Sequence, residues 1–260
     1  SFYLLDGISG AVLYSTTHQG VDTSQPITSA MAENWFAYSL YADETPESPA
    51  KGYQLVISEL YESPIPNDRG PLGSAANYSS LSSDGPPRPH VLTQSFIIPE
   101  PISHMAVTQT RQGITIRQLL CTLPRLNSLV GIPRPVLDPR RPVGRDPTTA
   151  EREEGLIKYS PFLEFDGKWF LSHSRDVARV RAVIAAPTLL ESTGLIFAFG
   201  DGDIFGSRVA PSQAFDILGK GFSKFQLLVT VVALFVGVAI LAPMVSSCSL
   251  LFLFHLCLCF

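Results

Sequence analysis

Asp201-Gly202-Asp203-Ile204-Phe205-Gly206 opens like a calcium-binding loop, with two carboxylates one residue apart and a glycine at position six. Calcium needs oxygen at positions five and twelve, and those positions hold Phe205 and Ser212. A Gly/Asp hairpin turn between two strands accounts for every residue of the segment. His255, Cys257 and Cys259 alternate, so a strand would put three soft ligands on one side. They lie in a run of Leu and Phe, without a fourth ligand or a polar surround for zinc. Gly7-Ile8-Ser9-Gly10 lacks the G-x-S-x-G spacing of a nucleophile elbow, and His18, His90, His104 and His173 are scattered. Glu151, Glu153 and Glu154 read as a solvated charge run. These residues point to no catalytic, cofactor or metal site, and the chain is expected not to be an enzyme.

Two other groups carry a different chemistry. Arg140 and Arg141 stand between Pro139 and Pro142, so two guanidinium groups are presented from a backbone stiffened on both sides. That suits a structural or interface contact with a neighbouring element or subunit, and an exposed turn is the alternative. Asn77-Tyr78-Ser79 is an N-glycosylation acceptor, with Asn77 inside a Pro-, Gly- and Ser-rich segment that no core could bury.

The elements that position these groups are short strands. Runs at 2–5 and 11–14 flank a turn at Asp6–Gly10. Further strands are predicted at 27–31, 35–41, 53–61, 91–98, 102–108, 114–123, 128–132, 169–172, 180–185, 195–200 and 204–209. Polar insertions occupy 62–90 and 138–154. Grouped in fours, the strands suggest β-propeller-type blades, with a β-sandwich on a stalk as the rival fold. The fold class is therefore mainly β over residues 1–222, followed by one C-terminal transmembrane α-helix.

That helix is read from Phe225–Val245, twenty-one residues without a charge. As a helix they extend about 30 Å, enough to cross the hydrocarbon of a bilayer. An apolar tail, 246–260, follows. Nineteen basic against 23 acidic residues give a net charge of −4, which argues against a nucleic-acid partner. One cysteine, Cys121, precedes the apolar run, so the count does not decide the redox compartment. Lys220 and Lys224 on the near side of the run do not decide its orientation either, because long translocated domains follow their own signal. The chain starts at Ser without a signal segment and is expected to be the C-terminal portion of something longer.

Several motifs occur in order: Gly113-Ile114-Thr115, Val136-Leu137-Asp138-Pro139-Arg140-Arg141-Pro142, Tyr159-Ser160-Pro161, Glu191-Ser192-Thr193, Arg208-Val209-Ala210-Pro211-Ser212 and Phe215-Asp216-Ile217-Leu218. With the single terminal anchor, the set resembles the C-terminal region of the family of subunit 1 of the endoplasmic reticulum membrane protein complex, over about Glu33 to Met244. Leu5-Asp6-Gly7-Ile8-Ser9-Gly10 with Tyr14 also resembles the LD-x-x-TG-x-x-x-W turn of quinoprotein-like propellers, Ser and Tyr replacing Thr and Trp. The resemblance implies a lumenal scaffold, single-pass in the endoplasmic reticulum membrane. Its implied partners are the other complex subunits, client transmembrane proteins and the lipid bilayer. It also implies a cytosolic C-terminus. Members of the family usually end in a short basic tail, and residues 246–260 depart from that. A membrane-tethered quinoprotein-like dehydrogenase and a cell-surface receptor or adhesion ectodomain are the alternatives.

Overall fold

The computed structural model describes residues 1–46, 51–64, 79–81, 85–86, 88–111, 117–173, 175–189, 193–209, 227–236 and 238–239. Asn77, Gly113-Ile114-Thr115, Phe215–Leu218, His255, Cys257 and Cys259 lie outside them.

Twelve strands are described, in four antiparallel sheets that each follow chain order. The first pairs β1 (Phe2–Leu5) with β2 (Val12–Thr16). The second joins β3 (Thr28–Ala32), β4 (Trp35–Ala42), β5 (Gly52–Tyr61) and β6 (His90–Ile98). The third holds β7 (His104–Val107), β8 (Gln118–Leu123) and β9 (Ser128–Pro133). The fourth holds β10 (Val180–Pro187), β11 (Gly194–Gly200) and β12 (Ile204–Val209). The second set matches the expected four-stranded unit. The third and fourth sets have three strands each among the described residues.

Side chains alternate across a strand, so a strand packed on both faces must be apolar at both parities. In β4, Phe36, Tyr38, Leu40 and Ala42 join Leu4 and Val56 in one cluster, whereas Trp35 and Ala37 join a second. That second cluster adds Leu55, Ile57 and Phe96 from the second sheet to Val107, Leu119, Cys121, Val130 and Ile132 from the third. Leu120 and Leu129 turn the other way, onto Ile196, Ala198 and Phe205 of the fourth sheet. The four sheets are therefore stacked face to face, with three apolar layers between them. In β5 even the polar Ser58 is fully buried and bonded to Thr93 Oγ1 at 2.9 Å, because both faces of the sheet are covered.

From the second sheet to the fourth, the first strand of one lies beside the first strand of the next, β3 against β7 and β7 against β10. Sheets stacked in series around neighbouring innermost strands are the arrangement of propeller blades. The stack has two outer faces. Tyr3, Leu5 and Val12 are exposed on one, and Ile184, Leu195, Phe197, Phe199 and Ile204 on the other.

Residues 169–172, expected as a strand, begin instead in a 3-10 turn over Gly167–Trp169. Asp166 causes this, its carboxylate accepting from the Lys168 N–H at 3.0 Å. Only Phe170 then pairs, through one bridge to Val130 at the outer edge of β9.

Contacts divide the chain into residues 1–211 and 212–260. In the latter, 227–236 and 238–239 are helical. Among the described residues no helix is long and apolar enough to cross a membrane. The expected span at 225–245 extends beyond the described residues at both ends.

Candidate functional site

The motif Val136–Pro142 lies on a strap that leaves β9 and runs over the outer edges of the second and third sheets. Pro133 and Pro135 start it as a 3-10 turn, Arg134–Leu137. Asp138 then closes a tight turn: its carbonyl accepts from Arg141 N–H at 3.2 Å and its carboxylate from Arg140 N–H at 2.9 Å. Further on, Ile97 of β6 exchanges backbone bonds with the strap, donating to Pro161 at 2.7 Å and accepting from Leu163 at 2.9 Å. Tyr159 donates its hydroxyl to the Ser95 carbonyl.

The two arginines part company. Arg140 stays at the rim and holds Asp138 through Nη2 at 2.9 Å and Nε at 3.2 Å, with Glu154 on Nη1 at 3.0 Å. The hydrogen bond to Asp138 is the main reason its pKa lies above the ordinary arginine value. Arg141 turns inward and is 5% exposed. Its guanidinium donates to three carbonyls: Val136 at 2.6 Å, Ile157 at 3.3 Å, and Lys158. Phe96 and Tyr159 lie 5.5 and 6.0 Å from it on the ring faces. Burial pushes its pKa down, while its spread of charge is well suited to a pocket of carbonyl dipoles and aromatic faces. The segment 138–154 is thus not a uniformly solvated insertion, since Asp138 and Arg141 are both buried.

Two glutamates of the solvated run, Glu151 and Glu154, also hold arginines. Glu151 caps the short helix α1 (Thr149–Glu153) in a reciprocal box with Thr148, and its carboxylate takes Arg145 at 2.6 and 2.7 Å. Those bonds bring its pKa down to about 2.

A second group of charges escaped sequence reading. Arg134 pairs with Glu59 at 2.6 Å, the two side chains 15% and 12% exposed, and lies 5.3 Å over the ring of Trp35. Glu59 also accepts from Tyr61 at 2.7 Å and Asn34 at 3.2 Å. Burial, then the bond to Glu59, raises the Tyr61 pKa. Arg117 pairs with Glu33 across the seam of the second and third sheets. These partners stand far apart in sequence, so only the stacking of the sheets reveals them.

The other candidates are held by local contacts. Ser9 donates its hydroxyl to Asp6 at 2.6 Å, and His18 meets the Tyr38 hydroxyl at 2.6 Å. Asp201 pairs with Arg181 at 2.7 Å and Asp203 with Arg175 at 2.5 Å, which uses both carboxylates of the calcium-like turn. Among the described residues no cluster of His, Cys, Asp and Glu could hold a metal ion.

Residues 1–212 match the family model described as ER membrane protein complex subunit 1, second beta-propeller. A Xenopus laevis protein named ER membrane protein complex subunit 1 is 36% identical over 216 residues, covering 83% of this chain and 20% of the relative. Proteins of the same name from Schizosaccharomyces pombe and Saccharomyces cerevisiae are 31% and 30% identical. Those matches cover 94% and 95% of this chain, and 26% and 32% of the relatives. The chain thus spans between a fifth and a third of the length of these curated relatives.

Proposed function

The chain belongs to the family of ER membrane protein complex subunit 1, and on that premise we propose that it is a non-enzymatic scaffold and anchor within that complex. Residues 1–211 act as a lumenal β-structure against which other subunits pack. A single helix within 225–245 fixes them to the endoplasmic reticulum membrane, with the C-terminus cytosolic. Through this frame the assembly supports insertion and folding of client transmembrane segments.

The observation that carries this reading is the stack of sheets itself. Three apolar layers tie four sheets into one body, and a strap pinned by Arg141 fastens the outer edges of two of them. Rigid surfaces of this kind hold partners in fixed relation, and the carboxylates of Glu33, Glu59, Asp138 and Glu151 are each held by an arginine. The apolar outer faces at Tyr3 and Leu5 and at Phe197 and Phe199 suit burial against further β-structure of a larger chain.

Affinity purification of the full-length protein from endoplasmic reticulum membranes in mild detergent tests the proposal. Several membrane subunits should co-purify in fixed ratio. A monomer free of stable partners would sink it.

A further inference from the structure

Two hollows open at the end of the sheets where β3 turns into β4. One, of about 310 Å³, follows the seam between the second and third sheets and is bordered by Trp35, Glu59, Arg117, Arg134 and Asp138. The other, of about 380 Å³, lies at the ends of the innermost strands and is bordered by Met31, Val107, Thr110, Arg117 and Pro187. Glu33 and Arg117 border both, so their ion pair stands where the two meet.

Hydrogen bonding at this groove is unbalanced towards donors. Both oxygens of Glu59 are engaged, by Asn34 on one side and by Tyr61 and Arg134 on the other. Both oxygens of Asp138 are taken by Arg140. Among the described residues, Arg134 Nη1 is buried with no acceptor, and in the inner hollow the buried hydroxyl of Thr110 has no partner. Arg117, among the described residues, bonds a side chain only through Nη2, to Glu33. The group that would balance this groove is an acceptor, and beside two guanidinium groups a carboxylate serves best.

Glu33 looks like a stand-in for that carboxylate. It is 67% exposed, so water competes strongly for its bond to Arg117. It also sits at φ 35°, in the left-handed region that a glutamate adopts only under constraint. A strained, exposed acid holding a half-buried arginine is easily displaced by a better-placed one.

We propose that this groove binds an extended segment of a partner protein through an acidic side chain. That carboxylate takes Arg117 in place of Glu33 and reaches towards Arg134. An apolar neighbour on the same segment fills the inner hollow against Met31, Val107 and Pro187. The proposal rests on the scaffold reading and names one of its partner surfaces.

The test uses the full-length protein in its membrane complex, with Arg117→Glu and the charge swap Glu33→Arg/Arg117→Glu. Partner recovery is read by quantitative mass spectrometry, and integrity of the fold by limited proteolysis. Arg117→Glu should lose at least one partner by about tenfold or more. The swap restores the ion pair and with it protease resistance, but the partner stays lost. If the pair were only an internal strut, the swap would bring back both, and the proposal fails. Should Arg117→Glu not fold, Arg117→Gln gives the same reading without charge reversal, and retention of every partner there overturns the groove. Equal partner sets in wild type and variants refute the groove alone. A wild type without partners refutes the scaffold as well.

Discussion

Arg141→Ala should be the most damaging single change in the strap. Three part-buried carbonyls lose their donor, and an acceptor left without one costs up to about 1–3 kcal/mol where water cannot reach it. The faces of Phe96 and Tyr159 lose a cation, a further ~1 kcal/mol. Relief from burying a cation without a carboxylate offsets part of the sum, so the net loss is about 3–5 kcal/mol. Arg140→Ala removes a rim pair whose guanidinium is partly exposed and should cost only about 1 kcal/mol. Urea unfolding can be followed by the fluorescence of the two tryptophans, Trp35 and Trp169, which belong to or pack on the layer beneath the strap. Arg141→Lys should recover only part of the loss, because an ammonium cannot reach three divergent carbonyls with a planar fork. Equal losses for Arg140→Ala and Arg141→Ala, or a loss under ~1 kcal/mol for the latter, would refute this account of the strap.

Gly194 faces the Gln109 carbonyl across the third and fourth sheets, where an added Cβ would meet that oxygen at 2.6 Å. Gly194→Ala should therefore destabilise by about 1–3 kcal/mol, and an unchanged unfolding midpoint would contradict that packing. Glu151 titrates at about 2 when folded, against an ordinary 4.5. Its contribution is thus fully present above pH ~4.5 and lost as the pH falls towards ~2. Side-chain NMR should find the low midpoint, and a midpoint near 4.5 would mean that the Arg145 contact does not hold in solution. Asn77 should carry a glycan if residues 1–211 are lumenal. Deglycosylation should then increase gel mobility in the wild type but not in Asn77→Gln, and protease attack on sealed microsomes would overturn the topology.

The strands were legible where burial on both faces forced an apolar run. Trp35–Ala42 and Gln118–Leu123 are apolar at both parities because each lies between two other sheets. The grouping of 27–98 into one four-stranded unit was likewise readable, because its strands are long and follow one another as a meander. The strap was not. Its backbone bonds to β6 and β9 depend on edges created elsewhere in the chain, and Asp166 capping replaced a strand with a 3-10 turn. Arg140 and Arg141 stood out through their prolines, yet nothing in the sequence showed that one holds carboxylates and the other carbonyls. Glu33, Glu59, Arg117 and Arg134 were invisible as a group, since each pair joins residues brought together only by sheet stacking.

The central claim is that the folded β-region holds the complex together. Quantitative mass spectrometry of endoplasmic reticulum membranes measures it in cells whose only copy of the full-length protein carries Arg141→Ala. The account predicts that partner subunits fall in step with the loss of protease-resistant β-region, while the surviving chain stays resistant to carbonate extraction. Partner subunits at wild-type abundance beside an unfolded β-region would contradict it.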